Sequence, residues 1–188
     1  MINADEILDR LLSALPGRTC EAPDNSRGLY GLIDHTGRLS YIGCTRSSDE
    51  TLRKRIHLRH RTGSEGSSHY FSNMYNIGRM WRDRIEQRGN PDATLAKSVR
   101  NAFIADHCRA VWVELADSDD IMGIERLVIA NAPAAAKAWN GRSAAPYDEP
   151  EALVNDTIER LALRPSDLAA LDRQKLLFIA RELGPSDL

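Results

Sequence analysis

One carboxylate of this sequence falls inside an apolar helical pattern. Glu125 follows Ile121 and Met122 by one turn and precedes Val128 and Ile129 by one turn. Burying a carboxylate among such side chains is costly unless a cation or a metal ion meets it. A structural ion pair with an arginine is the alternative to a functional site, and the sequence slightly favours the functional interpretation.

Two tyrosines are expected to lie together on a short hairpin. Residues 28–34 and 37–43 form two β-rich segments around a turn. A turn centred between His35 and Thr36 predicts Tyr30 directly opposite Tyr41, on the same side of the sheet. A three-residue loop would break this pairing, and a packed aromatic pair without a catalytic role is the structural alternative.

An arginine is expected on the helix that follows the hairpin. Ser47 and Glu50 form a capping-box pattern that predicts a helix from about 49 to 61. Arg55 lies beside the thin apolar stripe of this helix, so its side chain should point partly inward.

Two histidines occur three residues apart on the same predicted helix, His57 and His60. They could suggest a metal pair, but no third ligand is obvious. Solvated histidines on the helix surface are therefore the favoured interpretation. Further along, a helical stretch is predicted from about 71 to 87.

Composition limits the class of protein. The chain has 188 residues, of which 42% are hydrophobic, so wholesale disorder is excluded. The longest apolar runs are too short to span a bilayer, and no secretory signal is visible, so no membrane partner and a cytoplasmic location are expected. Three distant cysteines without a CxxC pair predict neither a disulfide framework nor a zinc finger.

Charge is distributed unevenly along the chain. The net charge is −2, but ten basic and five acidic residues between positions 46 and 88 make that segment +5. From position 148 to the end, nine acids against five bases give −4. The first segment could contact phosphates, whereas the tail would repel them; an ordinary solvated helix face accounts for the basic segment equally well.

Several of these residues occur in an order that resembles the GIY-YIG nuclease family. The resemblance extends from about 28 to 140, and six elements at family-like spacing make it specific. The matching elements are Gly28-Leu29-Tyr30, Tyr41-Ile42-Gly43 with its tyrosine eleven residues after the first, Leu52 with Arg55, His69 after a flexible stretch, Glu125 on an apolar helix, and Asn140 fifteen residues later.

The resemblance implies an α+β fold with a small three-stranded antiparallel sheet flanked by helices. The β-rich pattern from 110 to 116 supplies the third strand. The expected organisation is an N-terminal helical extension over 1–27, the nuclease-like domain over 28–142, and an acidic C-terminal helical extension over 143–188. The stretch from His69 to Glu125 is longer than in compact family members, so residues 90–107 are expected to be an inserted loop and helix.

The resemblance also implies an activity, the hydrolysis of DNA phosphodiester bonds with one Mg²⁺, or with Mn²⁺ in its place. Glu125 would hold the ion, and Arg55 would stabilise the charge of the transition state. Tyr30 is the first choice for the general base, with Tyr41 positioning water, although the order could be reversed. His69 would position or relay a proton, and Asn140 would hold the phosphate or brace the site.

The expected partner is DNA, and two alternative functions are considered beside the nuclease. Arg53, Lys54, Arg59 and Arg61 are predicted to contact the DNA backbone rather than base edges. The sequence leaves open whether the terminal helices form a homodimer. Two alternatives remain, a non-catalytic nucleic-acid-binding module on the same fold, and a protein-interaction domain in which Glu125 and Arg55 form a structural ion pair.

Overall fold

A computed structural model describes residues 3–63, 69–116, 119–141 and 147–183. The fold is α+β, with a three-stranded antiparallel sheet flanked by helices, as the sequence predicts. The strands are β1 (Arg27–Ile33), β2 (Leu39–Cys44) and β3 (Arg109–Leu115), and β1 lies in the centre.

The helices have different lengths and types. A π-helix (Lys54–Arg61) follows the hairpin, and three-residue 3₁₀ turns occupy Thr19–Glu21, Gly78–Met80 and Ala135–Lys137. The α-helices in chain order are α1 (Ala4–Ser13), α2 (Tyr70–Met74), α3 (Pro91–His107), α4 (Ile121–Asn131), α5 (Glu151–Arg160) and α6 (Pro165–Leu183). Within the described ranges, no helix combines the length and apolar character needed to cross a membrane.

The chain forms two compact units whose limits differ from the predicted division. The first contains residues 1–63 and 107–144, and the second contains residues 64–106 and 145–188. The difference begins with α1, whose buried Ile7, Leu8 and Leu11 belong to the same apolar core as the sheet and α4. The N-terminal helix is therefore part of the sheet's own core, because its apolar stripe needs that surface to be buried.

The hairpin has a different register from the predicted one. Tyr30 pairs with Gly43, and Tyr41 pairs with Leu32, with an irregularity between Leu32 and Ile33. The two tyrosines are therefore diagonal neighbours rather than directly opposed. They still share one side of the sheet, because the register differs by two positions and side chains alternate with a period of two.

The turn of the hairpin explains the altered register. The buried carboxylate of Asp34 accepts hydrogen bonds from the backbone N–H groups of Thr36 (2.9 Å) and Arg38 (3.0 Å), and from the Thr36 hydroxyl (2.6 Å). Asp34 N–H also donates to the carbonyl of Arg38 at 2.9 Å. These bonds close a longer loop than the centred turn assumed from the sequence.

In the second unit, the predicted helix over 71–87 is wrong beyond its first turn. α2 ends at Met74, and Gly78 has a φ of +49°. The Asn76 amide accepts a hydrogen bond from the Arg82 N–H (2.9 Å) and donates one to the Arg82 carbonyl (3.1 Å). A side-chain amide that satisfies the backbone in this way competes with helical hydrogen bonding, so the segment folds into turns.

Candidate active site

The sheet and the π-helix enclose a group of aromatic and basic side chains, here called the tyrosine pocket: Tyr30, Tyr41, Arg55 and His60. The ring centroids of Tyr30 and Tyr41 lie 6.1 Å apart, and the His60 ring lies 5.4 Å from the first and 5.5 Å from the second. Three elements, β1, β2 and the π-helix, thus position the predicted tyrosines and arginine together.

The Tyr30 hydroxyl is the polar centre of this pocket. Arg55 Nε donates a hydrogen bond to Tyr30 Oη at 3.2 Å, and His60 Nε2 lies 2.7 Å from the same oxygen. Since the guanidinium can only donate, the phenol's own proton is available to His60 when Nε2 is the unprotonated nitrogen. Tyr30 and His60 therefore form a path for a proton, and Arg55 places a positive charge beside it.

His60 is the residue that the sequence interpretation missed. It was expected to be solvated, but it is fully buried. The π-helix is the reason, because its i→i+5 hydrogen bonding brings residues five apart, here Arg55 and His60, onto one face. The spacing of Arg55 and His60 was visible in the sequence, but an α-helical period places them on different faces.

Gly43 permits the close approach of the two tyrosine rings. A Cβ atom at this position would lie 2.6 Å from Tyr30 Oη and 2.6 Å from a ring carbon of Tyr41. Any side chain there would push the rings away, so the second glycine motif of the sequence has a steric role at the centre of the pocket.

Burial controls the ionisation of Tyr30. Its pKa is raised well above the usual value of a phenol, first by desolvation and then by the neighbouring Tyr41, while Arg55 acts in the opposite direction. Tyr30 has no exposed surface and Tyr41 keeps 5%. A free Tyr30 phenolate is therefore disfavoured in this buried pocket.

A buried carboxylate holds Arg55 in place. Glu50 Oε1 lies 3.6 Å from the Arg55 guanidinium and 2.5 Å from that of Arg59, and Oε2 accepts a hydrogen bond from the Arg46 N–H at 2.7 Å. The predicted capping residue thus reaches back to Arg46 and also anchors the arginine of the pocket. The fixed partners of Arg55 restrict its rotation, so its Nε remains directed at Tyr30.

Glu125 reaches the end of β2 from α4, whose first turn is capped by the Asp120 carboxylate through Gly123 N–H (3.0 Å). It is 7% exposed, and Oε2 lies 3.9 Å from the Arg46 guanidinium. The Cys44 thiol is hydrogen-bonded to Glu125, and burial together with this carboxylate raises the pKa of Cys44 to about 12. Arg55 acts electrostatically on the same thiol in the opposite direction.

A hard divalent cation at Glu125 would be held largely by non-protein ligands, because Arg46 and the Cys44 thiol are the neighbours of this carboxylate. The Glu125 carboxylate supplies oxygen, which Mg²⁺ prefers, and such ions commonly keep several waters beside one or two carboxylates. Among the described residues, no group of three or more His, Cys, Asp or Glu forms a potential metal cluster. An ion at this site would therefore depend on Glu125, water and a substrate oxygen.

Asn140 braces the edge of the sheet. Its Oδ1 accepts a hydrogen bond from the Ile42 N–H at 3.0 Å, and its Nδ2 donates to the Ile42 carbonyl at 2.7 Å. The neighbouring Trp139 N–H donates to the Ser40 carbonyl at 2.8 Å. Asn140 thus braces β2, and its role in holding phosphate or bracing the site stays a prediction.

The four predicted DNA-contacting residues are not equivalent. Arg53, Lys54 and Arg59 are exposed on the π-helix and at its start. Arg61 is half-buried, and its guanidinium lies 3.0 Å from His57 Nε2, while His57 Nδ1 lies 2.9 Å from the Thr19 hydroxyl. Arg61 therefore supports the helix internally.

His69 belongs to the second unit, directly before α2. Its catalytic role stays a prediction.

Comparison of the chain with protein-family models, with curated proteins and with solved structures found no match.

Proposed function

We propose that this protein is a divalent-metal-dependent DNA endonuclease that hydrolyses phosphodiester bonds. The observation that supports it most directly is the Tyr30 hydroxyl held between Arg55 and His60, in a unit that also presents Glu125 at the end of β2. It combines a cation for phosphate charge, a route for the proton of water, and one oxygen ligand for a metal ion.

Glu125 is the residue that would hold Mg²⁺ or Mn²⁺. The bound ion would supply charge neutralisation for a phosphate that gains negative charge in the transition state. The ion pairs that the two residues make, Arg55 with Glu50 and Glu125 with Arg46, differ from the Arg55–Glu125 pair of the protein-interaction alternative. A bound metal ion would therefore have to replace the exposed Arg46 guanidinium at Glu125.

Tyr30 and His60 would remove the proton of the attacking water. The water gives its proton to Tyr30 Oη as the phenol passes its own proton to His60 Nε2, and the resulting hydroxide attacks phosphorus. The P–O bond to the leaving strand then breaks, its electron pair stays on the leaving oxygen, and that oxygen takes a proton from solvent, while Arg55 stabilises the charge on the phosphate. This relay does not require Tyr30 to be ionised before the reaction, which agrees with its raised pKa.

The proposal requires the pocket to open. Because Tyr30 and His60 have no exposed surface, water and phosphate reach them only after neighbouring groups move. Closure of a site around its substrate is common among enzymes and excludes competing reactions. We therefore expect DNA binding and opening of the tyrosine pocket to be coupled.

A plasmid-nicking assay tests the activity. Conversion of supercoiled to nicked DNA should require Mg²⁺ or Mn²⁺ and stop with EDTA. Glu125→Gln and Arg55→Ala should each lower the rate about 10²- to 10³-fold, as expected for lost transition-state stabilisation. The matched carboxylate control is Glu114→Gln, since Glu114 is exposed on β3 and should tolerate the change.

The outcomes separate the rival functions. Unchanged nicking by folded Glu125→Gln protein would remove the metal assignment. DNA binding without cleavage under either metal would favour the non-catalytic nucleic-acid-binding module. A comparison of Tyr30→Phe with Tyr41→Phe identifies the base, and we expect the greater loss for Tyr30→Phe.

A further inference from the structure

A second candidate site lies in the second unit, in the turns between the 3₁₀ turn Gly78–Met80 and α3. This segment, residues 82–89, is here called the arginine loop. Asp83 Oδ1 accepts hydrogen bonds from the backbone N–H groups of Ile85 (2.7 Å) and Glu86 (2.8 Å), and Asp83 N–H donates to Gln87 Oε1 at 2.9 Å. The loop is therefore shaped by its own internal hydrogen bonds.

Both ends of the arginine loop are also fixed. The two hydrogen bonds between the Asn76 amide and the Arg82 backbone hold its start. Gly89 takes a φ of +81°, and Asn90 N–H donates to the Gln87 carbonyl at 3.1 Å, which turns the chain into α3. A loop with a defined backbone loses less conformational entropy when its side chains bind a partner.

Charge is sorted between two sides of the arginine loop. One concave surface is lined by Arg82, Arg84, Ile85, Arg88 and Gly89, with no acid among its described lining residues. The acids of the same loop, Asp83 and Glu86, line a different concavity together with α6. A segment of alternating charge thus presents three arginines on one side.

We propose that this surface binds the phosphate backbone of DNA. Guanidinium groups match phosphate oxygens in geometry and charge, and Arg84 and Arg88 are exposed and so within reach of an extended polyanion. Ile85, 77% exposed between them, can lie against sugar atoms. The choice of DNA over an acidic peptide rests on the proposed function, because a nuclease needs sequence-independent contacts beyond its catalytic pocket.

Binding can be measured without cleavage. A fluorescently labelled DNA duplex is titrated with the full chain in EDTA, and anisotropy is followed at several salt concentrations. Arg84→Ala/Arg88→Ala should weaken binding about tenfold near 100 mM salt and lower the salt slope by about two charges, because two phosphate contacts are lost. The control Arg10→Ala/Arg164→Ala removes the same charge from exposed positions and should change affinity less than about twofold.

Each result decides the proposal. Equal losses in the two double variants, no loss in either, or no duplex binding by the unmodified chain would overturn it. The proposal would also be overturned if Arg84→Ala/Arg88→Ala lost binding to a labelled oligo-glutamate peptide but bound DNA as the unmodified chain does. That result would identify an acidic protein partner. Arginine-dependent binding by a chain that cleaves no DNA would support this surface while removing the catalytic proposal.

Discussion

Each compact unit buries an arginine, and the two arginines have different partners. Arg55 is 7% exposed and contacts the Tyr30 hydroxyl and the Glu50 carboxylate. Arg100 is fully buried, and its Nη1 donates to the Asn76 amide oxygen and, at 3.0 Å, to the Met80 carbonyl. The first adjoins groups that can exchange protons, whereas these contacts of the second tie together the backbone of a turn.

The difference shows that burial of a charge does not by itself identify a functional site. Arg100 donates to neutral oxygens that hold the segment before the arginine loop. Arg55 stands beside a tyrosine of altered pKa and a histidine 2.7 Å from that tyrosine's oxygen. Perturbed titratable groups in contact are the better indicator of chemistry.

Substitution of Arg100 should mainly lower stability, whereas substitution of Arg55 should mainly lower nicking activity. Arg100→Met removes hydrogen bonds from buried oxygens and should lower the free energy of unfolding by about 3 kcal/mol. Arg55→Met should cost only about 1 kcal/mol, because Tyr30 keeps His60 and Glu50 keeps Arg59. Nicking should be lost with Arg55→Met and retained by folded Arg100→Met.

Denaturant unfolding and plasmid nicking of both variants check this prediction. If Arg55→Met proved the more destabilising and Arg100→Met the less active, the assignment of a structural and a functional arginine would be reversed.

The two histidines of the π-helix allow a finer comparison. His60→Ala should reduce nicking about 10²-fold, because the proton of Tyr30 loses its acceptor. His57→Ala is the matched control from the same helix and should retain activity within about threefold, since its contacts are to Thr19 and Arg61. Steady-state rates with circular dichroism of each variant separate loss of chemistry from loss of folding. Similar rates for both variants would exclude His60 from the relay.

Much of the fold could be predicted because local patterns agreed with tertiary packing. The three strands follow β-rich segments, and α4 follows the apolar helical pattern that surrounds Glu125. Arg55 was expected to point partly inward, and it is buried. These features depend on burial and period, which the sequence displays directly.

The remaining features depend on hydrogen bonds that residue types do not reveal. The register of the hairpin depends on how the Asp34 carboxylate folds the turn. His60 enters the pocket only because the helix after the hairpin is a π-helix, and no period-based method separates that from an α-helix over eight residues. The limits of the first unit depend on the packing of α1 against the sheet, which the apolar stripe of the helix does not specify by itself.

The smallest expected effect concerns His57, whose pKa is lowered to about 4 by burial and then by Arg61 and Arg53. The folded state therefore prefers the neutral imidazole, whereas the unfolded chain protonates near its ordinary pKa of about 6.5. The stability that depends on the neutral form is complete above about pH 6.5 and decreases as the pH falls towards 4. Solvent screening at this half-buried site limits the effect to about 1 kcal/mol.

Denaturant unfolding at pH 7 and pH 5 measures this effect. The unmodified chain should lose more stability between the two values than His57→Gln, because glutamine cannot be protonated. An identical loss in both proteins would show that protonation of His57 costs the folded state nothing. The neutral form of His57 would then make no measurable contribution to stability.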